Sequence, residues 1–158
     1  MASSSLQLDV ENALKSFIAS QSILGLTSAN IYPAHAKQKI DPDTKGTYLG
    51  IIADTPAWEP LIVNAEIKVT FEIATAGMQD HDKAPQASVD HSTRVGQVLD
   101  LFSWQNLQQT RDTLNVSSFS LGVGFTGYEP LKPEPDGMSQ DGTQIITKLS
   151  YTFEVYLS

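Results

Sequence analysis

Apolar and polar residues alternate almost without interruption from Ile145 to Leu157. Ile145, Thr147, Leu149, Tyr151, Phe153, Val155 and Leu157 fall on one face, and Ile146, Lys148, Ser150, Thr152, Glu154 and Tyr156 on the other. That two-residue period predicts a long, half-buried antiparallel strand. The chain ends one residue later, so the last element is expected to be locked into a sheet, with no room for a tail. A second strand of the same kind is predicted over Val63 to Thr75, with Ala65, Ile67, Val69, Phe71 and Ile73 facing one way and Glu66, Lys68, Thr70 and Glu72 the other. Thr47 to Ala53 is apolar on both faces, as in the interior of a sheet. Phe119, Leu121, Val123 and Phe125 alternate with Ser118, Ser120, Gly122 and Gly124, which predicts a strand whose second face is nearly bare and open to close approach by a neighbour. Ile31-Tyr32-Pro33 reads as a short edge strand that the proline ends, because proline offers no ladder donor.

Two segments carry the other period. Val10, Ala13, Leu14, Phe17 and Ile18 recur at spacings of three and four and predict a helix, with Asp9 as its cap and Glu11 favoured near its N-terminus by the dipole; Gly25 and Asn30 mark the turn out. Val95, Val98, Leu99 and Phe102 predict a second amphipathic helix, capped by Ser88 or Asp90. Trp104, Leu107 and Leu114 are compatible with a further helical piece, although the polar run Gln105 to Asp112 also suits strand or loop. The stretches Lys37 to Gly46, Asp54 to Pro60, Ala76 to Ser88 and Gly127 to Gly142 are rich in proline, glycine and acids and read as loops. Runs of strands with helices set among them predict an α+β fold: a mainly antiparallel sheet of four to five strands with two or three helices on one face. With 158 residues, 41% of them hydrophobic, and no internal repeat, the chain is expected to form a single domain over 1–158.

Charge narrows the choice of partners. Eighteen acidic residues against ten basic ones leave a formal charge of −8, which opposes tight binding to nucleic-acid phosphates. The absence of cysteine removes disulfides, thiolate metal sites and cysteine nucleophiles together. The N-terminal stretch lacks a basic region followed by an apolar one, and nowhere do about 18 apolar residues run together. Neither a cleaved export signal nor a membrane partner is therefore expected.

Candidate chemistry is thin. His35 sits between alanines, His81 between Asp80 and Asp82, and His91 after Asp90. None shows the three- or four-residue pairing that sets two metal ligands on one helix face, so all three are expected to be exposed loop histidines. There is no GxSxG elbow, and Gly122-Val123-Gly124 lacks the third glycine and the following helix of a dinucleotide loop. The pairs Asp41/Asp43 and Asp80/Asp82 lie in polar loops that would not desolvate a carboxyl, so they read as solvated turn acids. No catalytic residue, cofactor or metal is expected, and the chain is read as a non-enzyme.

The surface is more distinctive. Trp58 stands between Pro56 and Pro60, a setting that either presents an aromatic anchor at a loop tip or folds it back over the sheet edge. The second faces of the two long strands carry Glu66, Lys68, Glu72, Lys148, Glu154 and Tyr156. Of these, Lys68, Lys148, Glu154 and Tyr156, with Trp58, are the candidate interface residues.

The order of elements, from the helix at Val10 to Ile18 through the Ile31-Tyr32-Pro33 exit, the strand at Val63 to Thr75, the helix at Val95 to Phe102 and the strand at Phe119 to Phe125 to the closing strand, resembles the tail terminator or neck proteins of long-tailed bacteriophages. The resemblance implies a small α+β subunit of a homo-oligomeric ring, commonly a hexamer, that caps the tail tube and joins it to the head-side connector. It implies residence in the virion after assembly in the host cytoplasm, and it brings no catalytic residues or cofactors. A lumen that passes DNA without specific binding gains from acidic walls, because repulsion keeps phosphates from adhering. Two alternatives stand beside this one: another tail-tube or head-completion protein, or a small-molecule binding module or hydrolase, which would require a concave pocket with converging polar groups.

Overall fold

The computed structural model describes residues 6–35, 46–58, 64–116 and 123–157. In chain order the elements are α1 (Leu6–Ala19), β1 (Ile31–Pro33), β2 (Tyr48–Ala53), β3 (Ala57–Trp58), β4 (Asn64–Ala76), α2 (Ala84–Leu101), a short 3-10 turn (Trp104–Asn106), α3 (Leu107–Val116), β5 (Val123–Pro130), β6 (Gly137–Met138) and β7 (Gln144–Leu157). The strands form one mixed sheet in the order β1-β2-β4-β7-β5, antiparallel except where β1 runs parallel to β2. β3 pairs with β4 beyond the point where β2 ends, and β6 pairs with β7 beyond the end of β5. The sheet is thus five strands wide, with the position beside β4 shared by β2 and β3 and the position beside β7 shared by β5 and β6.

The two long strands set the register. Ala65, Ile67, Val69 and Phe71 of β4 stand opposite Val155, Phe153, Tyr151 and Leu149 of β7. All eight are buried, so one face of the central pair is a continuous apolar surface. The helices cover that face: Val10, Leu14, Phe17 and Ile18 of α1, Val98 of α2 and Leu114 of α3 join the strand residues in one core. Phe102, directly after α2, sits at its aromatic centre, with Phe71, Tyr151, Tyr128, Phe17 and Phe153 around it at centroid distances of 5.2 to 5.8 Å.

Four expectations change. Asp54 to Pro60 is not all loop: after three residues the chain rejoins the sheet as β3, with Trp58 opposite Ala65, so the backbone of Trp58 belongs to a strand and not to a loop tip. β4 is longer than β2, and β3 fills the donors and acceptors that β2 leaves open. The polar stretch before the second helix already contains its first turns, because α2 begins at Ala84, Lys83 is the N-cap instead of Ser88 or Asp90, and Pro85 occupies the first turn, where its missing N–H costs nothing. Asp9 lies within α1 and not at its cap. The stretch after Gly127 likewise holds strand: β5 runs to Pro130, and β6 follows at Gly137. Residues 117–122, which include Phe119, Leu121 and Gly122, lie outside the described residues, as do Asp41 and Asp43.

Candidate functional site: the uncovered sheet face

Side chains alternate along a strand, so burying the odd-numbered residues of β4 and β7 under the helices turns the even-numbered ones outward. Across the central pair the outward rows are Glu66 opposite Glu154, Lys68 opposite Thr152, Thr70 opposite Ser150, and Glu72 opposite Lys148. β5 extends two of these rows, with Gly127 opposite Glu154 and Glu129 opposite Thr152. Glu66, Lys68, Glu129, Lys148 and Glu154 are exposed, and Tyr156 is half-buried in the row next to Glu154. Lys68, Lys148, Glu154 and Tyr156 therefore share one surface, as their parity in the sequence requires. Trp58 belongs to the same sheet through β3.

The two ends of this face differ. Toward β1 it is aromatic: Tyr32 and Tyr48 meet edge to face at 6.0 Å, and Tyr48, although on the outer side, is only 7% exposed. Burial, the charge of Glu72 and a hydrogen bond donated to that carboxylate push the Tyr48 phenol up to about 12. Toward β5 the face is acidic. Glu66, Glu129 and Glu154 line a shallow groove of about 240 Å³ together with Thr152, Trp104 and Leu107. Trp104 is 61% exposed, which for so large an apolar side chain is exceptional. Its only sequence signal was its place between two helical segments.

Both outer strands are poor templates for adding another strand. β1 is three residues long and ends in Pro33. On the other side the chain after β5 continues along β7, with the amides of Leu131 and Glu134 donating to the carbonyls of Ser150 and Lys148 at 2.9 and 3.0 Å. Pro130, Pro133 and Pro135 interrupt that strap and remove donors, which blunts it against edge-to-edge pairing.

One histidine departs from the exposed-loop expectation. His91 lies in α2 and is 1% exposed. Its Nδ1 is 2.8 Å from Thr75 Oγ1 and its Nε2 is 2.7 Å from Thr147 Oγ1. Burial lowers its pKa, partly countered by the charge of Asp136. Arg94, one turn on, reaches Thr75 Oγ1 and the Leu24 carbonyl, so the buried stripe of α2 is Ala87, His91, Arg94 and Val98, and Leu99 turns outward at 38% exposure. His35 is exposed in a turn, as expected, and its Nδ1 is 2.6 Å from Oε2 of the fully buried Glu11. Glu11 also accepts from the backbone N–H groups of His35 and Ala53, each at 2.8 Å. Instead of serving the dipole at the helix end, Glu11 ties α1 to the ends of β1 and β2. His81 is exposed as expected, and Asp80 accepts from the Asp82 amide in a turn.

Among the described residues, no group of three or more histidine, cysteine or acidic side chains is placed to hold a metal ion, and no helix is long and apolar enough to cross a membrane. No protein-family model and no curated protein matches the chain. Solved structures of similar shape exist. One is a chain from the virion of a native gene transfer agent particle, at 15% identity and a TM-score of 0.49, covering 92% of this chain and 96% of that one. A second solved structure aligns at 13% identity and a TM-score of 0.49, over 93% of this chain and 94% of the other.

Proposed function

We propose that this protein is a structural subunit of a phage-like virion, a tail terminator or neck ring component that works through interfaces and not through catalysis. The observation that carries this reading is the one-sided sheet. Among the described residues, strands of 13 and 14 residues are covered by helices on one face only, and the other face offers carboxylates, lysines and part-buried tyrosines in fixed rows. Mixed charge on a rigid platform suits polar contacts between subunits, where complementarity sets register more than raw affinity. The blunted outer strands direct assembly to this face and away from strand addition. The order of helices and strands is the one that resembles the terminator proteins, and the charge of −8 suits a lumen through which DNA slides without adhering. In this reading the subunits form a ring, a hexamer by that resemblance, which contacts the tail tube on one side and the head-side connector on the other and is built in the host cytoplasm.

Native mass spectrometry and negative-stain imaging of the purified chain, alone and mixed with tail-tube protein, test the proposal. Closed rings, or co-assembly at the end of tubes, are expected, and reversing Lys68 and Lys148 to glutamate should weaken them. A chain that stays monomeric at high concentration and also ignores the tube protein would defeat the reading. Stacked rings along a tube, in place of one ring per particle, would reassign it to a tube subunit.

A further inference from the structure

One buried feature plays no part in that surface. Five polar side chains from two strands, one helix and the strap form a single chain between α2 and the central strands: Arg94, Thr75, His91, Thr147 and Asp136. The donor and acceptor roles along it are fixed from both ends. A guanidinium can only donate, so Arg94 Nη1 donates to Thr75 Oγ1 at 2.5 Å. An ionised carboxylate can only accept, so Thr147 donates its hydroxyl hydrogen to Asp136. Thr147 must then accept from His91 Nε2–H, and Thr75 is left to donate its own hydrogen to His91 Nδ1. Every bond points the same way, and the order requires the neutral Nε2–H tautomer of His91.

We propose that this chain is a proton-operated latch that holds α2 and the adjoining turn against β4 and β7 while His91 is neutral, and loosens them when His91 takes up a proton. A proton on Nδ1 turns that nitrogen from acceptor to donor. Thr75 Oγ1 then faces two cationic donors, Arg94 and His91, and its own hydrogen loses its acceptor. The charged groups facing the ring are Arg94 from α2 itself and Asp136 from the strap, with Asp90 acting on Arg94; β4 and β7 bring only hydroxyls. Asp136 strengthens the outer half of the chain on protonation, so the strain falls on the Arg94 half.

That half is where the turn between α1 and β1 is attached. Arg94 Nε donates to the Leu24 carbonyl at 2.6 Å, and the Leu24 amide donates to Gln97 Oε1 at 2.8 Å. Gly25, at φ +74°, leaves the room that the guanidinium needs: a Cβ there would lie 2.7 Å from Arg94 Nη2. The turn between α1 and β1 is therefore held by the same arginine that Thr75 orients. The chain also has an entrance for the proton, because Asp136 is 55% exposed although His91 is 1% exposed.

The latch does not depend on ring formation and is tested on the full chain in any assembly state. Amide hydrogen exchange, corrected for the intrinsic effect of pH, should show Leu24 and Leu26 losing at least about tenfold protection as pH falls from about 6.5 to about 4.5, below the ordinary histidine value because burial depresses the ring, while amides of β4 and β7 keep theirs. In His91→Gln, which retains a donor and an acceptor but cannot titrate, that local loss should vanish. In Asp136→Asn it should move to lower pH, because the anion that favours the charged ring is gone. Nitrogen-15 spectra of the wild-type imidazole should show Nε2–H at neutral pH and a titration in the same window as the exchange, a readout that needs no variant to fold. Loss of protection spread evenly over the sheet, persistence of the local loss in His91→Gln, or an Nδ1–H tautomer at neutral pH would each overturn the proposal.

Discussion

Phe71 of β4 and Phe102, which follows α2, stack with ring centroids 5.2 Å apart and planes 22° from parallel. That stack joins the longest helix to the centre of the sheet, and Tyr151 and Phe153 of β7 close on the same ring from the next strand. Both phenylalanines are essentially unexposed. Replacing Phe102 by alanine removes the hub and leaves a cavity that flanking side chains on three elements cannot fill together. The expected cost is about 3–5 kcal/mol in urea unfolding, with Phe102→Leu costing clearly less. A loss below about 1 kcal/mol would mean that the core collapses around the gap and that the ring is not its centre.

Glu11 offers a different kind of core test. Its carboxylate accepts from two backbone N–H groups and the His35 ring, and it is buried. In Glu11→Ala the amides of His35 and Ala53 lose their acceptor. We expect a loss of about 2–4 kcal/mol, concentrated in faster exchange of those two amides. His35→Ala leaves both backbone donors bonded and should cost less than half as much. Equal effects from the two substitutions would show that the ring, and not the carboxylate, ties α1 to the strands.

The strands were legible because their constraint is local. Ile145 to Leu157 and Val63 to Thr75 alternate since one side meets helices and the other meets water, and that asymmetry is written residue by residue. The buried polar groups were not, because their partners are distant: His91 finds Thr75 and Thr147 at separations of 16 and 56 residues, and Glu11 finds Ala53 at 42. Glu11 did carry a signal. It stands three residues before Leu14 and seven before Ile18, on the apolar stripe, where a carboxylate must be satisfied from elsewhere in the fold. On α2 and directly after it, Val95, Val98 and Phe102 pack on the core as their spacing predicts, but Leu99 turns outward, and hydrogen bonds to β4 and β7 draw His91 and Arg94 inward beside them. The outward parity of Lys68, Lys148, Glu154 and Tyr156 followed from alternation alone. The groove beside Trp104 did not, because it joins a helical turn to strands that are adjacent only in the folded sheet.

Burial sets the alkaline limit of the fold. Tyr48 and Tyr151 each have the phenol pushed from 10.0 up to about 12, mainly by desolvation, and Tyr128 is raised for the same reason. A raised pKa means that the folded protein holds protons that the unfolded chain has released. The stabilisation these phenols provide is complete below pH 10 and is lost as pH rises from 10 to about 12. In a spectrophotometric titration Tyr48 and Tyr151 should ionise only as the fold is lost, in one cooperative step that coincides with the change in circular dichroism. In Tyr151→Phe the step should sharpen less and move upward. Reversible ionisation of every tyrosine near pH 10 with the fold intact would contradict the burial of these two rings.

Glu66 and Glu154 stand directly opposite one another on the uncovered face, and Glu129 adds a third carboxylate one row away on β5. Like charges across a strand pair oppose pairing, so an isolated subunit has no use for this arrangement. Glu66→Gln or Glu154→Gln should therefore stabilise the monomer slightly, by about 0.2–1 kcal/mol at low salt, with the gain shrinking as salt screens the pair. If the face is the contact between subunits, the same substitutions should weaken assembly, because the repulsion within one chain is then relieved by a cationic neighbour. Measured together, thermal unfolding of the monomer and sedimentation of the assembled form should move in opposite directions. A substitution that stabilises the monomer and leaves assembly unchanged would put the contact elsewhere, and the first place to look would be Trp104 and the strap that follows β5.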